Sequence, residues 1–266
     1  MGLRTAVVRA APWQPRPARR RRGRAALIVA GLLALTLWFP LNWAYQVLRK
    51  PSELLAPVSA GLRKAPAATW RAYGAAFRAH STPLISPTFL AALAQAESDG
   101  NPLAGTYWRW KWTWNPFELY APASSAVGMF QMTRGTFDEA RRYCIHDHRA
   151  VQAGPWHDLD ACWFNGLYTR LLPSHAIEMT AARLHVTVTE LLATQRRRGA
   201  RPEQIETLAA VVHLCGRQGG AAFVRRGFRL APAERCGEHE VRLYVARLKR
   251  LQREFTRLRR ADAAAS

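Results

Sequence analysis

The chain is poor in acidic side chains. Its 266 residues include 18 Asp and Glu against 39 Lys and Arg, which gives a formal net charge of +21, and nearly all of the cations are arginines. Such an excess is typical of proteins that meet nucleic acid, an anionic membrane or an acidic polymer. The sequence also lacks internal repeats and a phosphate-cradling glycine loop. Its length allows one or two domains with a real core.

Charge of either sign is missing between Arg24 and Arg49. This stretch is longer than the ~20 residues that a transmembrane helix needs. Eight arginines and no acid precede it, so its N-terminal side should stay in the cytoplasm. We predict an uncleaved anchor over residues 25–45; a cleaved signal peptide is the alternative, although no small-x-small site precedes Gln46. The aromatic residues expected of an interfacial belt near its end are Trp38, Phe39, Trp43 and Tyr45.

Cysteine is scarce, and no C-x-x-C is present, which argues against a zinc ribbon or a thioredoxin-type site. Export to an oxidising compartment favours disulfides. Four cysteines allow three pairings, of which we expect the sequence-local one, Cys144 with Cys162 and Cys215 with Cys236. A zinc site is the competing interpretation. Its ligands would come from Cys144, His146, His148, His157 and Cys162.

Glu97 is the strongest candidate for a catalytic group. Ser86-Pro87 supplies an N-cap and a first-turn proline. From there Phe89, Leu93 and Glu97 step by four and share one helix face. Burial on that face is expected to raise the pKa of the carboxyl group and to keep a proton available for general acid catalysis. Asn101-Pro102 is expected to end the helix, although a glutamate at a helix end is otherwise usually solvated.

Three stretches together resemble the soluble lytic transglycosylase family. The family pattern E-S-x-x-N-P-x-A-x-S is matched by Glu97–Thr106, which reads ESDGNPLAGT. The pattern G-L-M-Q-x-x-P-G-T is matched by Gly128–Thr136, which reads GMFQMTRGT, and the closing E-T-R-x-Y-V by Glu240–Val245, which reads EVRLYV. The departures are Thr106, Phe130 and Arg134. The matches occur in the family's order and cover roughly residues 87–248.

The resemblance implies a mainly α fold, with a lysozyme-like helical domain that carries a small aromatic-rich insertion. Together with the predicted anchor and its N-terminal arginines, this makes the expected protein a single-pass one of the bacterial inner membrane, with the catalytic domain in the periplasm. The expected division is a basic cytoplasmic tail (1–24), a transmembrane anchor (25–45), a stalk with an amphipathic helix bearing Trp70, Tyr73 and Phe77 (46–85), the transglycosylase domain (86–248) and a basic C-terminal helix end (249–266).

This chain keeps some of the family's cleft residues and replaces others. Thr106 keeps a hydroxyl that can bind sugar or water, and Gln131 should tie its loop to the floor of the site. Tyr244 keeps its family position and is expected to face the cleft. The family's A-Y-N-A-G run falls at 212–216, where Tyr and Asn become His213 and Leu214. His213 is either a donor to substrate or a satisfied core histidine.

The aromatic insertion lies between Thr106 and Gly128, where the family pattern is much shorter. Trp108, Trp110, Trp112 and Trp114 alternate as the side chains on one face of a strand do. Indoles stack well on the apolar faces of sugars, so we expect a β-tongue that grips glycan, with contacts from Trp110 and Trp112. A structural plug and a patch that dips into the membrane are the alternatives.

The last helix combines a heptad seam with a basic end. Its front half is expected to pack on the domain, whereas the part from Lys249 should project as a basic arm. The partner of that arm would be anionic lipid, an anionic wall polymer or another envelope protein; nucleic acid is disfavoured in that compartment. The seam residues are Val241, Tyr244, Leu248, Leu251, Phe255 and Leu258.

The function implied by the resemblance is cleavage of peptidoglycan strands between N-acetylmuramic acid and N-acetylglucosamine. Glu97 would act first as acid and then as base, giving a 1,6-anhydro sugar without metal or cofactor. A hydrolytic muramidase is one alternative, but it normally needs a second carboxylate, for which Glu118 and Asp138 have no support. The other alternative is a catalytically degenerate glycan-binding scaffold of an envelope machine.

Overall fold

The computed structural model describes residues 19–152, 154–155, 157–158, 161–194 and 199–265. Most of the predicted basic tail, residues 1–18, lies outside this part of the chain. The described residues are mainly helical, as predicted, and the strands form three antiparallel hairpins.

The elements follow one another along the chain with helices dominating. The helices are α1 (Arg19–Arg49), α2 (Ala56–Ser59), α3 (Pro66–Ala79), α4 (Pro87–Ser98), α5 (Arg134–Ala140), α6 (Pro173–Thr194), α7 (Pro202–Arg225) and α8 (Val241–Ala265). The strands are β1 (Trp108–Trp110), β2 (Tyr120–Pro122), β3 (Tyr143–His146), β4 (Arg149–Gln152), β5 (Arg235–Cys236) and β6 (His239–Glu240). Short 3-10 helices lie at Pro51–Leu55, Ala60–Leu62, Pro116–Glu118 and Trp163–Leu167.

The chain divides into two units, residues 1–45 and residues 46–266. The helix α1 includes the stretch Ala25–Arg49, which is long and apolar enough to cross a membrane. The large apolar side chains of this stretch are mostly exposed, for example Leu27 and Leu33. The prediction of one N-terminal helix with the length and composition of a membrane span is therefore confirmed.

The helix α4 forms the centre of the second unit. Ser86 caps it by accepting a hydrogen bond from the Phe89 amide at 3.2 Å, as the sequence predicts. The helix is buried on all sides from Thr88 to Ala96, which is typical of a core helix. Its alanines allow α3 and α8 to pack closely against it, and α6 packs against α7 beside them.

The segment predicted as a stalk belongs to the same compact unit as the helical domain. Trp70 and Phe77 of α3 are buried in the shared core, with Phe77 completely inaccessible. Trp70 and Phe77 of this helix thus pack on the domain.

The helix α8 packs along its predicted seam. Leu248 and Phe255 are buried, and Leu258 packs against the same core. Beyond them, Asp262 lies 2.9 Å from Arg78 of α3. The stretch from Lys249 to Leu258 is therefore not a projecting arm, because its apolar stripe stays on the core while its arginines face solvent.

Both disulfides have the predicted pairing. Cys144 of β3 is joined to Cys162, and Cys215 of α7 is joined to Cys236 of β5. Cys144 and Cys162 are thus not thiolate ligands for zinc. Across the described residues, no group of three or more His, Cys, Asp or Glu side chains is placed to hold a metal ion.

Candidate functional site

The end of α4 places Glu97 at the edge of a cavity. Asp99 and Gly100 follow the helix with positive φ angles of 53° and 65°. A Cβ atom at Gly100 would lie 2.3 Å from the hydroxyl oxygen of Thr69, so glycine is required there. This left-handed turn ends the helix before Asn101-Pro102 is reached, which corrects the expectation that Asn101-Pro102 stops it.

The motif residues around Glu97 act mainly as ties between loops. The buried Asn101 amide donates to the Ser59 carbonyl at 2.7 Å and to the Ser59 hydroxyl at 3.0 Å. The Ser98 hydroxyl donates to the Met129 carbonyl at 2.8 Å. These bonds hold α2 and the segment 128–131 against the end of α4, and so they fix the walls of the cavity.

Gln131 holds its loop in place, as expected, although its side chain does not line the cavity. Its amide donates to the Ala104 carbonyl at 3.0 Å and to the Gly128 carbonyl at 3.1 Å. Gly128 has a φ of 81°, and a Cβ there would lie 2.3 Å from the Arg170 carbonyl. Ala104 lines the cavity, whereas Gln131 does not.

The cavity beside Glu97 has a volume of about 450 Å³. It lies between α2, the end of α4, the segment 101–106 and the start of β1. The lining side chains that carry charge or aromatic surface are Glu53, Arg63, Glu97, Asp99, Trp108 and Arg247.

Two side chains contact the Glu97 carboxylate. The Tyr244 hydroxyl of α8 donates to Oε1 at 2.5 Å. Nε2 of His213 on α7 lies 3.5 Å from the same oxygen, near the outer limit of a hydrogen bond. The Glu97 side chain is 17% exposed. The structure thus brings together Glu97, His213 and Tyr244, three residues that the sequence assigned to the cleft.

The sequence-based expectation for the pKa of Glu97 is wrong in sign. Burial pushes this pKa up, but the contact and charge of His213, the hydrogen bond from Tyr244 and the charge of His239 outweigh it, so the pKa is lowered. Burial and the charge and hydrogen bond of Glu97 raise the pKa of Tyr244 well above its ordinary value, which keeps Tyr244 a neutral donor. Glu97 is therefore ionised in the empty cavity.

A break in α7 and a disulfide organise the two histidines. Gly216, three residues after His213, has φ 69° and ψ −176° and interrupts the helix. The adjacent Cys215 is bonded to Cys236, which lies opposite His239 in the β5–β6 hairpin. This disulfide therefore ties the hairpin that carries His239 to the same kink that follows His213.

Sequence reasoning missed three charged residues near Glu97. Arg247 follows Tyr244 by three positions, so helical spacing was a usable signal for it. His239 carried no signal, because only the fold of the hairpin brings its charge near Glu97. Glu53 carried none either, since it is distant in sequence and becomes a cavity residue only by packing.

Glu53 is almost completely buried, with 2% of its surface exposed. Its Oε1 lies 2.8 Å from Nζ of Lys50, and its Oε2 accepts a hydrogen bond from the Trp108 indole at 2.9 Å. Glu53 thus joins the chain that follows α1 to the base of the aromatic insertion.

Only some of the other predicted sugar contacts lie in the cavity. Thr106 lines the cavity and donates to the Ser124 carbonyl at 3.2 Å. Trp110 packs in a tilted arrangement against Tyr120, with ring centroids 4.9 Å apart, and is 64% exposed. Trp112 is fully exposed. Neither Trp110 nor Trp112 lines the cavity, whereas Trp108 does.

The insertion forms a shorter tongue than the alternation predicts. Its strand ends at Trp110 and pairs with β2, with Trp108 opposite Pro122 and Trp110 opposite Tyr120. Trp112 and Trp114 lie beyond the pairing, in the turn between β1 and the 3-10 helix Pro116–Glu118. The four tryptophans therefore do not form one continuous face.

Comparison of this chain with protein-family models, with curated proteins and with solved structures gives no match.

Proposed function

We propose that this protein is a membrane-anchored lytic transglycosylase that cleaves the glycan strands of peptidoglycan. The observation that carries the proposal is the position of Glu97, a carboxylate at a helix end beside a cavity large enough for sugar rings, held by Tyr244 and His213. The three segments that resemble the family meet at the end of α4 although they are far apart in the chain: Tyr244 bonds the Glu97 carboxylate, and the Met129 carbonyl accepts from Ser98. Their convergence supports the lysozyme-like reading of the fold.

In the first step, protonated Glu97 gives its proton to the glycosidic oxygen. The bond from that oxygen to C1 of N-acetylmuramic acid breaks, and an oxocarbenium-like centre develops at C1. Tyr244 already occupies Oε1, so we assign proton transfer to Oε2. Because the pKa of Glu97 is lowered, bound sugar must shift it upward. Exclusion of water by the sugar has that effect.

In the second step, the Glu97 carboxylate takes the proton from the C6 hydroxyl of the muramic sugar. The C6 oxygen then bonds to C1, which closes the 1,6-anhydro ring. No water is consumed, and Glu97 regains the proton it gave. One carboxyl group is sufficient for this cycle, and the hydrogen bond from Tyr244 holds it in place through both steps.

The topology belongs to the same proposal. The arginine-rich N-terminus would lie in the cytoplasm, α1 would cross the inner membrane, and residues 46–266 would lie in the periplasm. The two disulfides support an oxidising compartment for that unit.

Hydrolysis is the second candidate, because Glu53 supplies another carboxylate to the cavity that contains Glu97. In an inverting hydrolase such a group activates water. Glu53 is already engaged by Lys50 and by the Trp108 indole, so the anhydro reaction is preferred.

Product analysis separates these candidates. The full-length protein in detergent is incubated with purified peptidoglycan, and the released fragments are identified by mass spectrometry. Anhydro ends are expected, with the rate reduced by about 10²–10⁴-fold in Glu97→Gln and unchanged in Glu203→Gln, the same replacement at an exposed site in the first turn of α7. Reducing ends that disappear in Glu53→Gln would identify a hydrolase, and no turnover would leave a glycan-binding scaffold.

A further inference from the structure

A second cavity, of about 360 Å³, lies beside the C-terminal end of α1. In the part of the chain that the structure describes, no acidic side chain lines it. Phe137 and Tyr168 contribute apolar surface to its wall. Its cationic lining residues are Arg49, Lys50, Arg134 and Arg170.

The charges of this cavity are only partly balanced. Arg49 lies 2.6 Å from Glu118, and Lys50 pairs with Glu53. Arg170, by contrast, donates to two neutral carbonyls, those of Ser125 at 2.9 Å and Met132 at 2.8 Å. Among the described residues, no carboxylate lines the cavity beside Arg134 and Arg170. Their two guanidinium groups therefore form a site for an anion.

Arg134 adds to the positive field at Arg170. Burial and then the charge of Arg134 lower the pKa of Arg170, while Asp138 opposes this. Asp138 itself lies 3.4 Å from Arg141, which draws it into another ion pair. A dianionic or monoanionic phosphate between Arg134 and Arg170 would relieve their mutual repulsion.

Exposed apolar side chains flank this cavity in the sequence. Leu167 and Leu172 enclose the cavity-lining segment 168–171 and are 77% and 52% exposed, and Phe164 is 54% exposed. Large apolar side chains exposed next to the lining segment indicate an interaction surface. Arginines among them favour a partner that is apolar and anionic at once.

The aromatic tongue is attached to the same end of α1. The Gln46 amide donates to the Phe117 carbonyl at 2.6 Å, and Arg49 pairs with Glu118. Trp114 precedes Phe117 by three residues, so its backbone lies within about 10 Å of that attachment. Trp112 and Trp114 are both fully exposed.

We propose that these features form a juxtamembrane face, consisting of the cationic cavity, the leucines that flank it and the tip of the tongue. This face docks on the outer surface of the bilayer that α1 crosses, and the phosphate of an anionic phospholipid occupies the cavity between Arg134 and Arg170. The inference rests on the proposed membrane anchor. Because Gln46 follows Tyr45 directly, residues 46–50 must lie at headgroup level if the preceding stretch spans the bilayer.

Docking on lipid would also fix the Glu97 cavity in space. Lys50, which lines the cationic cavity, donates to the Ser124 and Ala126 carbonyls at 3.1 Å and pairs with Glu53 in the wall of the Glu97 cavity. Lys50 thus links the two cavities. A docked face would hold the glycan site at a constant height above the membrane.

Thermal unfolding in nanodiscs tests the lipid site. The full chain is reconstituted in phosphatidylcholine alone or with phosphatidylglycerol, and the anionic lipid is expected to raise Tm by a few degrees. Arg134→Gln/Arg170→Gln should lose this rise, measured against its own Tm in phosphatidylcholine, which the loss of the Arg170 hydrogen bonds to Ser125 and Met132 lowers. Arg225→Gln/Arg229→Gln, which removes the same charge elsewhere on the exposed surface, should keep the rise.

Three results would overturn the proposal. They are a rise that persists in Arg134→Gln/Arg170→Gln, no rise in the unmodified protein, and an equal rise from inorganic phosphate in phosphatidylcholine discs, which would identify a site for free phosphate. A chain that does not enter the discs at all would refute the anchor, and this outcome is separate from activity toward peptidoglycan.

Quenching by brominated lipid tests the tongue. Bromine near the headgroups should quench a larger share of tryptophan fluorescence in the unmodified chain than in Trp112→Phe/Trp114→Phe. Trp70→Phe, which removes a buried indole of α3, should not lower that share. Equal quenching in the unmodified and tongue variants would show that the tip stays away from lipid.

Discussion

The end of α4 and the tip of the tongue contain similarly conspicuous residues, but their surroundings differ completely. Asn101 is buried and fully engaged in hydrogen bonds, and Glu97 is held by Tyr244. Trp112 and Trp114 are fully exposed. The difference shows that a motif identifies residues that the fold needs, whereas a run of aromatic residues gives no indication of whether they face a cleft, a core or a membrane.

The largest effect on stability is expected for loss of either disulfide. The two can be compared directly because they close loops of similar length, with sequence separations of 18 and 21 residues. Cys144→Ser/Cys162→Ser and Cys215→Ser/Cys236→Ser should each lower the free energy of unfolding by roughly 3 kcal/mol. Only the second pair should also move the pH profile of cleavage, since it releases the hairpin with His239. Chemical denaturation and pH-rate profiles of both variants check this. Identical profiles would contradict a positioning role for Cys215–Cys236.

Gly100→Ala should cost roughly 2–3 kcal/mol of stability. The new Cβ would combine a positive φ with a contact of 2.3 Å to Thr69. Gly105→Ala is the matched control on the loop toward the tongue, where the nearest atom is an ordinary 3.7 Å away, and should change stability by less than about 0.5 kcal/mol. Urea denaturation measures both, and equal losses would mean that the turn after α4 is not constrained as described.

The pH dependence of cleavage tests the lowered pKa of Glu97. A general acid is active when protonated, so kcat/KM should fall as the pH rises through the pKa of Glu97. His213→Gln removes a charge that lowers this pKa, and the descending limb should then move to higher pH. The exposed His146→Gln should leave the limb in place. A shift to lower pH in His213→Gln would contradict the assignment.

The lowered pKa of Glu97 should also be visible in the pH dependence of stability. Since the folded-state pKa of Glu97 lies below its ordinary value of 4.5, its contribution is present above that value and is lost as the pH falls through the folded-state pKa. In Glu97→Gln this part of the acid destabilisation should be missing. Tm measured between neutral and acid pH gives the comparison.

The smallest effect is expected at the tip of the tongue. Trp112→Ala should change the free energy of unfolding in detergent by less than about 0.5 kcal/mol, because a fully exposed side chain has little packing to lose. Trp108→Ala should cost more, since its indole donates to the buried Glu53 carboxylate. Similar losses at both positions would remove the distinction between the base and the tip of the tongue.

Local rules were sufficient where neighbours in sequence decide the outcome. The N-cap at Ser86, the apolar stretch of α1, the seam of α8 and the sequence-local disulfides all follow from spacing and composition. The predicted end of α4 at Asn101-Pro102 was wrong because Asp99 and Gly100 adopt a left-handed turn that ends the helix earlier. Helical spacing from Tyr244 was a sufficient signal for Arg247, which the sequence analysis did not name.

The sequence alone determined that a carboxylate stands at the end of a core helix and that an uncharged, membrane-length stretch precedes the domain. Tertiary structure decided the charge state of that carboxylate, because His213, Tyr244 and His239 reach it from α7, α8 and β6. It also decided that Glu53 enters the cavity while Trp112 does not. Electrostatic interactions depend on distance in space, and no pattern along the chain specifies those distances.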